Sequence, residues 1–164
     1  MKKKIQKILA IGGLSCLLLS VPVYGETMGS DLSSPQQREM VDYEMERGDY
    51  ISTSTSRISN VGGGTIGISA ATTAHEPVDK IRIHLYLDRL NENEKWVQVD
   101  HFDFTFTPED DPSGELTMVA VDFEVTDQPS GYYYRVRGTH GVWKNGVSET
   151  QSTRTNGVMI TDTP

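Results

Sequence analysis

The sequence predicts an all-β fold, an antiparallel immunoglobulin-like β-sandwich of seven to eight strands, and three observations carry that prediction. From Tyr50 onward apolar residues recur at every second position, the segments between turns have strand length, and Gly, Pro, Asn and Asp clusters rather than helices separate them. Short strands without intervening helices bury one face each by stacking two sheets, which gives a sandwich or a barrel, and the sandwich is the preferred reading.

The elements follow in order. ISTSTSRIS, starting at Ile51, is β-branched and rich in hydroxyls. Gly62, Gly63 and Gly64 read as a flexible hinge because no Lys-Ser or Lys-Thr follows to make a phosphate loop. TIGISAA then sets Ile66, Ile68 and Ala70 on one side. KIRIHLYLDRL gives the cleanest alternation, with Ile81, Ile83, Leu85 and Leu87 inward and Arg82, His84, Tyr86 and Asp88 outward.

In KWVQVDHFDFTF the apolar face changes phase, from Val97 and Val99 to Phe102, Phe104 and Phe106, so a bulge near Asp100 and His101 or a crossing between sheets is required. ELTMVAVDFEV places Val119, Val121, Phe123 and Val125 inward. GYYYRVRGTH alternates Tyr132, Tyr134 and Val136 with Tyr133, Arg135 and Arg137. Val158 and Ile160 close the domain. Tyr132 or Tyr134 is expected to make the corner hydrogen bond that such sandwiches form before their sixth strand.

Ahead of the strands the chain divides into two further parts. Residues 1–25 carry Lys2, Lys3, Lys4 and Lys7, an apolar run from Ile8 to Val23 and a small Gly25, the layout of a secretory signal cleaved after Gly25. An uncleaved anchor is the alternative. Lipid attachment at Cys16 is disfavoured because Gly13 stands where leucine is wanted. Residues 26–48 form a polar arm, either disordered or with a short helix from Pro35 to Arg47, for which Ser34 is the cap, Pro35 the opening residue and Gly48 the stop. The sandwich occupies 49–164.

Loss of residues 1–25 removes four lysines and takes the formal charge from -8 to -12. So acidic a chain repels phosphate backbones, which argues against nucleic acid and against anionic membrane surfaces as partners. The sole cysteine leaves with the signal, so an ordinary core rather than a disulfide framework must hold this secreted, extracellular domain.

GYYYRVRGTH followed by NGVSE resembles the sixth strand, the following turn and the seventh strand of fibronectin type III and related immunoglobulin-like modules. Over nearly the whole mature region the chain is also similar to small secreted Gram-positive proteins of unknown function. They share its Leu-rich middle strand, the Trp96-Val97 strand and the Gly131 to Val136 segment ahead of a Gly-x-x-Glu turn. The second resemblance implies secretion and a β fold, and brings no activity or catalytic residues.

No motif for catalysis stands out. His75, His84 and His140 lack HExxH spacing, HEPVD fails that pattern after two residues, and there is no GxSxG elbow. No cofactor or metal is assigned. Asp100, His101, Asp103, Glu109, Asp110 and Asp111 make an acidic cluster, and a calcium-dependent or hydrolytic enzyme built on it is one alternative. A structural secreted protein without a small ligand is another.

The preferred reading is a non-enzymatic binding or surface-interaction module. In an immunoglobulin-like order the strands of Arg82 and Arg135 are neighbours, so the recognition face is Arg82, His84, Tyr86, Tyr133, Arg135 and Arg137. Tyrosine and arginine suit carboxylate, phosphate and sugar-rich partners, and a cell-envelope polymer or protein is the expected one. With both arginines taken as solvated, their change to serine is expected to leave folding intact.

Overall fold

The computed structural model describes residues 39–44 and 48–163. The signal and most of the arm lie outside them. Nine strands are described: β1 (Glu39–Glu44), β2 (Ile51–Gly62), β3 (Thr65–Ala74), β4 (Lys80–Leu90), β5 (Trp96–Phe106), β6 (Met118–Val125), β7 (Tyr132–Lys144), β8 (Val147–Arg154) and β9 (Val158–Ile160). They form two antiparallel sheets, one ordered β1-β2-β3-β6 and one ordered β5-β4-β7-β8, with β9 also pairing β7. The fold is a β-sandwich, and β4 lies beside β7 as the immunoglobulin-like order requires.

The helix expected from Pro35 to Arg47 is corrected where the structure describes it. Residues 39–44 are a strand, paired with β2 from Glu39↔Ser59 to Glu44↔Ser54. The apolar stripe of that segment is too weak to stabilise a short helix by packing. The open edge of β2, in contrast, offers a row of backbone donors and acceptors that six extended residues satisfy. The three-glycine hinge is corrected too. Gly62, Gly63 and Gly64 take φ of 95°, 59° and 67° and close the β2–β3 hairpin as a tight turn.

The phase change in β5 is a bulge, one residue from where the sequence requires it. Leu87 pairs with Asp100 and Asp88 with Gln98, so Val99 is the unpaired extra residue. Phe102, Phe104 and Phe106 are thereby turned inward. Phe123 of the opposite sheet meets Phe102 and Phe104 at centroid distances of 4.7 and 5.5 Å, in tilted contacts that join the two layers. Ile81, Ile83, Leu85 and Leu87 are all buried, as are Ile66, Ile68, Val119 and Val121 facing them.

Tyr134 supplies the corner bond: its hydroxyl donates to the Pro129 carbonyl at 3.0 Å while the ring is fully buried. Tyr134→Phe keeps the ring and removes the hydroxyl, with this bond and the hydroxyl's interaction with Arg89. It is expected to cost about 1 kcal/mol, read as a lower urea midpoint at unchanged slope.

One part of the core is polar. His140 of β7 is fully buried, with Nδ1 2.7 Å from Thr72 Oγ1 in the facing sheet and Nε2 3.0 Å from Thr153 Oγ1 on β8. Ser56 reaches Thr153 at 2.5 Å, so β2, β3, β7 and β8 meet at one imidazole. Burial pushes the His140 pKa down to about 4, and the ring is neutral at pH 7, donating from one nitrogen and accepting at the other. Gly138 makes room for this network. A Cβ there would stand 2.4 Å from Thr153 Oγ1 and 2.8 Å from His140 Nε2.

Candidate functional site: the outer face of the β5-β4-β7-β8 sheet

The register puts Arg82 beside Gly141, His84 beside Thr139, Tyr86 beside Arg137 and Asp88 beside Arg135. Alternation sends these side chains away from the core. The six residues read from the sequence do not all converge. Arg82 and His84 both turn to Asp103 of β5, at 3.7 and 2.5 Å. Tyr133 lies opposite Met159 of β9 and is 46% exposed. Tyr86, Arg135 and Arg137 do come together, around a residue that the alternation points outward.

That residue is Asp88. Its side chain is only 3% exposed, because long side chains from both neighbouring strands close over it. Arg135 donates from Nε to Asp88 Oδ2 at 3.0 Å. Arg137 donates from Nε to Oδ2 at 2.7 Å and from Nη2 to Oδ1 at 3.0 Å, a two-point fork. Burial by itself would raise the Asp88 carboxyl, but the hydrogen bonds from Arg137 and then Arg135 outweigh it and hold it below the usual carboxylate range.

Aromatic rings flank the group. The Arg135 guanidinium lies 4.4 Å from the Trp96 ring and that of Arg137 5.1 Å from the Tyr86 ring. The result is a ladder across the sheet, Trp96–Arg135–Asp88–Arg137–Tyr86, with one carboxylate between two guanidinium groups and a net positive charge. The expectation that both arginines can become serine at no cost to folding is therefore corrected. They compensate a buried charge and do more than decorate a wet surface.

Next to Arg137 the face dips into a cleft of about 500 Å³ lined by Tyr86, Arg137, Thr139, Ser152, Arg154 and Asn156. Arg137 pairs directly with Arg154, and Thr139 with Ser152. Asn156 is brought to the rim because Thr155, just before it, is drawn inward. The Thr155 amide donates to the Val136 carbonyl and its hydroxyl accepts from the Val136 amide, each at 2.9 Å. Sequence reasoning found Tyr86 and Arg137 but not Ser152, Arg154 or Asn156. The signal was available in the alternation of QSTRTN, where Ser152 and Arg154 share a face.

The acidic residues 100–111 do not converge. Asp103 is taken by His84 and Arg82. Asp110 accepts from the Thr107 amide at 2.9 Å, and Asp111 accepts from the Ser113 amide and hydroxyl at 2.8 and 2.7 Å. These bonds shape a 3₁₀ turn at Pro108–Asp110 and the loop after it. Among the described residues no three acidic, histidine or cysteine side chains are placed to hold a metal ion.

Residues 29–158 match a family described as a family of unknown function, DUF6147. Among curated proteins none matches the chain. Among solved structures, a crystal structure of Spo0M, a sporulation control protein from Bacillus subtilis, is similar at 18% identity and a TM-score of 0.34. The alignment covers 76% of this chain and 49% of that one, so this chain spans about half the length of that protein. At that score the likeness adds nothing to the fold described above.

Proposed function

We propose that this protein, which belongs to DUF6147, a family of unknown function, is a secreted, non-enzymatic binding module that recognises an envelope component through the outer face of the β5-β4-β7-β8 sheet. One observation carries the reading. A chain of formal charge -8 keeps two arginines, Arg135 and Arg137, locked in fixed rotamers by a buried carboxylate and two aromatic rings, beside a polar cleft. Fixed donors lose little entropy on binding, so such a surface is preorganised for an acceptor-rich partner.

Secretion rests on the layout of residues 1–25, which lie outside the described residues. Among the described residues no helix is long and apolar enough to cross a membrane.

The test is retention of the mature chain on insoluble envelope material, compared with Arg154→Glu. This change reverses a charge at the cleft and replaces none of the residues of the Asp88 ladder. Retention is expected to fall at least about tenfold with little change in melting temperature. Equal retention of the two proteins would reject this face.

A further inference from the structure

We infer that the free edge of β5 pairs with the same edge of a second copy of this chain, antiparallel and centred on Phe102, so that His101 of each copy faces Asp103 of the other. The inference stands apart from the binding-module reading and uses a different part of the sheet. Three features lead there.

The open edge comes first. The sheet order leaves β5 and β6 at the same side of the sandwich, and among the described residues β5 pairs with β4 alone. A strand so placed carries a row of backbone donors and acceptors that another strand can satisfy. One bond shows which residues offer them. The His101 amide donates to the Asp100 carboxylate at 2.9 Å, so it points away from β4. Ladder bonds alternate along a strand, so the amides of Asp103 and Thr105 point to the same open side. His101, Asp103 and Thr105 are all exposed.

Charge comes second, and it selects both the partner and the register. In a two-fold antiparallel pair, centring on Asp103 would set two carboxylates against each other, and centring on His101 would set imidazole against imidazole. Centring on Phe102 places His101 opposite Asp103 twice, and opposite charges so placed stabilise a strand pair. Asp103 has the capacity for it: its contacts with His84 and Arg82 are both made by Oδ1, and Oδ2 makes none among the described residues. β6 offers no such match. It carries Asp122 and Glu124 without a basic residue, so a second copy there would bring only carboxylates.

Size is third, and it sets the strength. The bulge at Val99 bends the edge and confines the pairing to residues 100–104 of each copy. Val99, 40% exposed, lies at the end of that contact and is covered by it. So short an interface is expected to hold a dimer with a Kd of about 0.1–1 mM.

The experiment is sedimentation of the mature chain from about 10 μM to about 2 mM, for the parent, His101→Asp, Asp103→His and the variant carrying both changes. The parent is expected to pass from monomer to dimer across that range. His101→Asp sets carboxylate against carboxylate and is expected to weaken the dimer at least about tenfold, while Asp103→His removes both attractive pairs and weakens it too. The double variant exchanges the two partners and is expected to restore dimerisation, which a merely misfolded single variant would not allow. A parent that stays monomeric throughout would overturn the inference. So would a dimer indifferent to the single changes, or one that the double change does not restore.

Discussion

Arg135→Ser combined with Arg137→Ser is expected to lower the stability of the domain by about 2–3 kcal/mol, a fall of roughly 5–10 °C in melting temperature. The cause is the carboxylate left behind. Asp88 takes its three guanidinium hydrogen bonds from these two side chains, which also cover it, so the double variant leaves a carboxylate that has lost those bonds and has only the water entering in their place. A third substitution separates this cause from lost packing. Asp88→Asn in the double-variant background removes the stranded charge and is expected to restore about half of the loss, read in urea unfolding at pH 7. If the double variant unfolds like the parent, Asp88 is solvated and the ladder is not a structural unit.

The same group fixes a sign with pH. The Asp88 carboxyl is held below its ordinary value, so its contribution is in full force above the unfolded carboxylate range near 3.8 and fades as pH falls through the folded value. In the parent the ladder therefore adds to acid unfolding below about pH 4.

A larger pH effect begins at higher pH. The folded-state pKa of His140 is pushed down to about 4 from an ordinary 6.5, so the unfolded chain takes up a proton that the folded chain refuses. Stability is then complete above pH 6.5 and falls with decreasing pH until about 4, by a total of about 3 kcal/mol. The polar groups that touch the imidazole, from Thr72, Thr153 and Ser56, are uncharged hydroxyls, and none of them can compensate an imidazolium. Comparing the urea midpoint of the parent with His140→Gln from pH 7 to pH 4 isolates the effect. The variant is expected to be weaker at pH 7 and to have a flatter profile. Parallel profiles would mean that His140 is protonated in the folded state or reached by water.

These two groups show where the sequence was readable and where it was not. The alternation of Ile81 to Leu87 gave their burial directly, and the phase change in β5 located the bulge to within a residue, because both follow from the two-residue period of a strand. The same parity points outward for Asp88, and parity alone does not separate an outward residue that is covered from one that is solvated. What buries Asp88 is the pairing register, Gln98 on one side and Arg135 on the other, with Trp96 and Tyr86 laid over the arginines. No local pattern contains that information.

For His140 a usable signal was present. Tyr134, Val136, Gly138, His140 and Val142 share one parity, and all are buried. Its partners on β2, β3 and β8 are distant in sequence, so the network around it was not readable. The arm was misread for a different reason: capping residues favour a helix locally, whereas the edge of β2 is a tertiary offer that local propensity does not register.

The most direct test is to map amide shifts of the isotope-labelled mature chain on adding solubilised envelope polymer. The prediction is a contiguous set of shifts at Tyr86, Arg137, Thr139, Ser152, Arg154 and Asn156, with the β1-β2-β3-β6 sheet unaffected. Shifts centred on that other sheet or on residues 107–114, or no shifts at polymer concentrations that retain the protein, would contradict it.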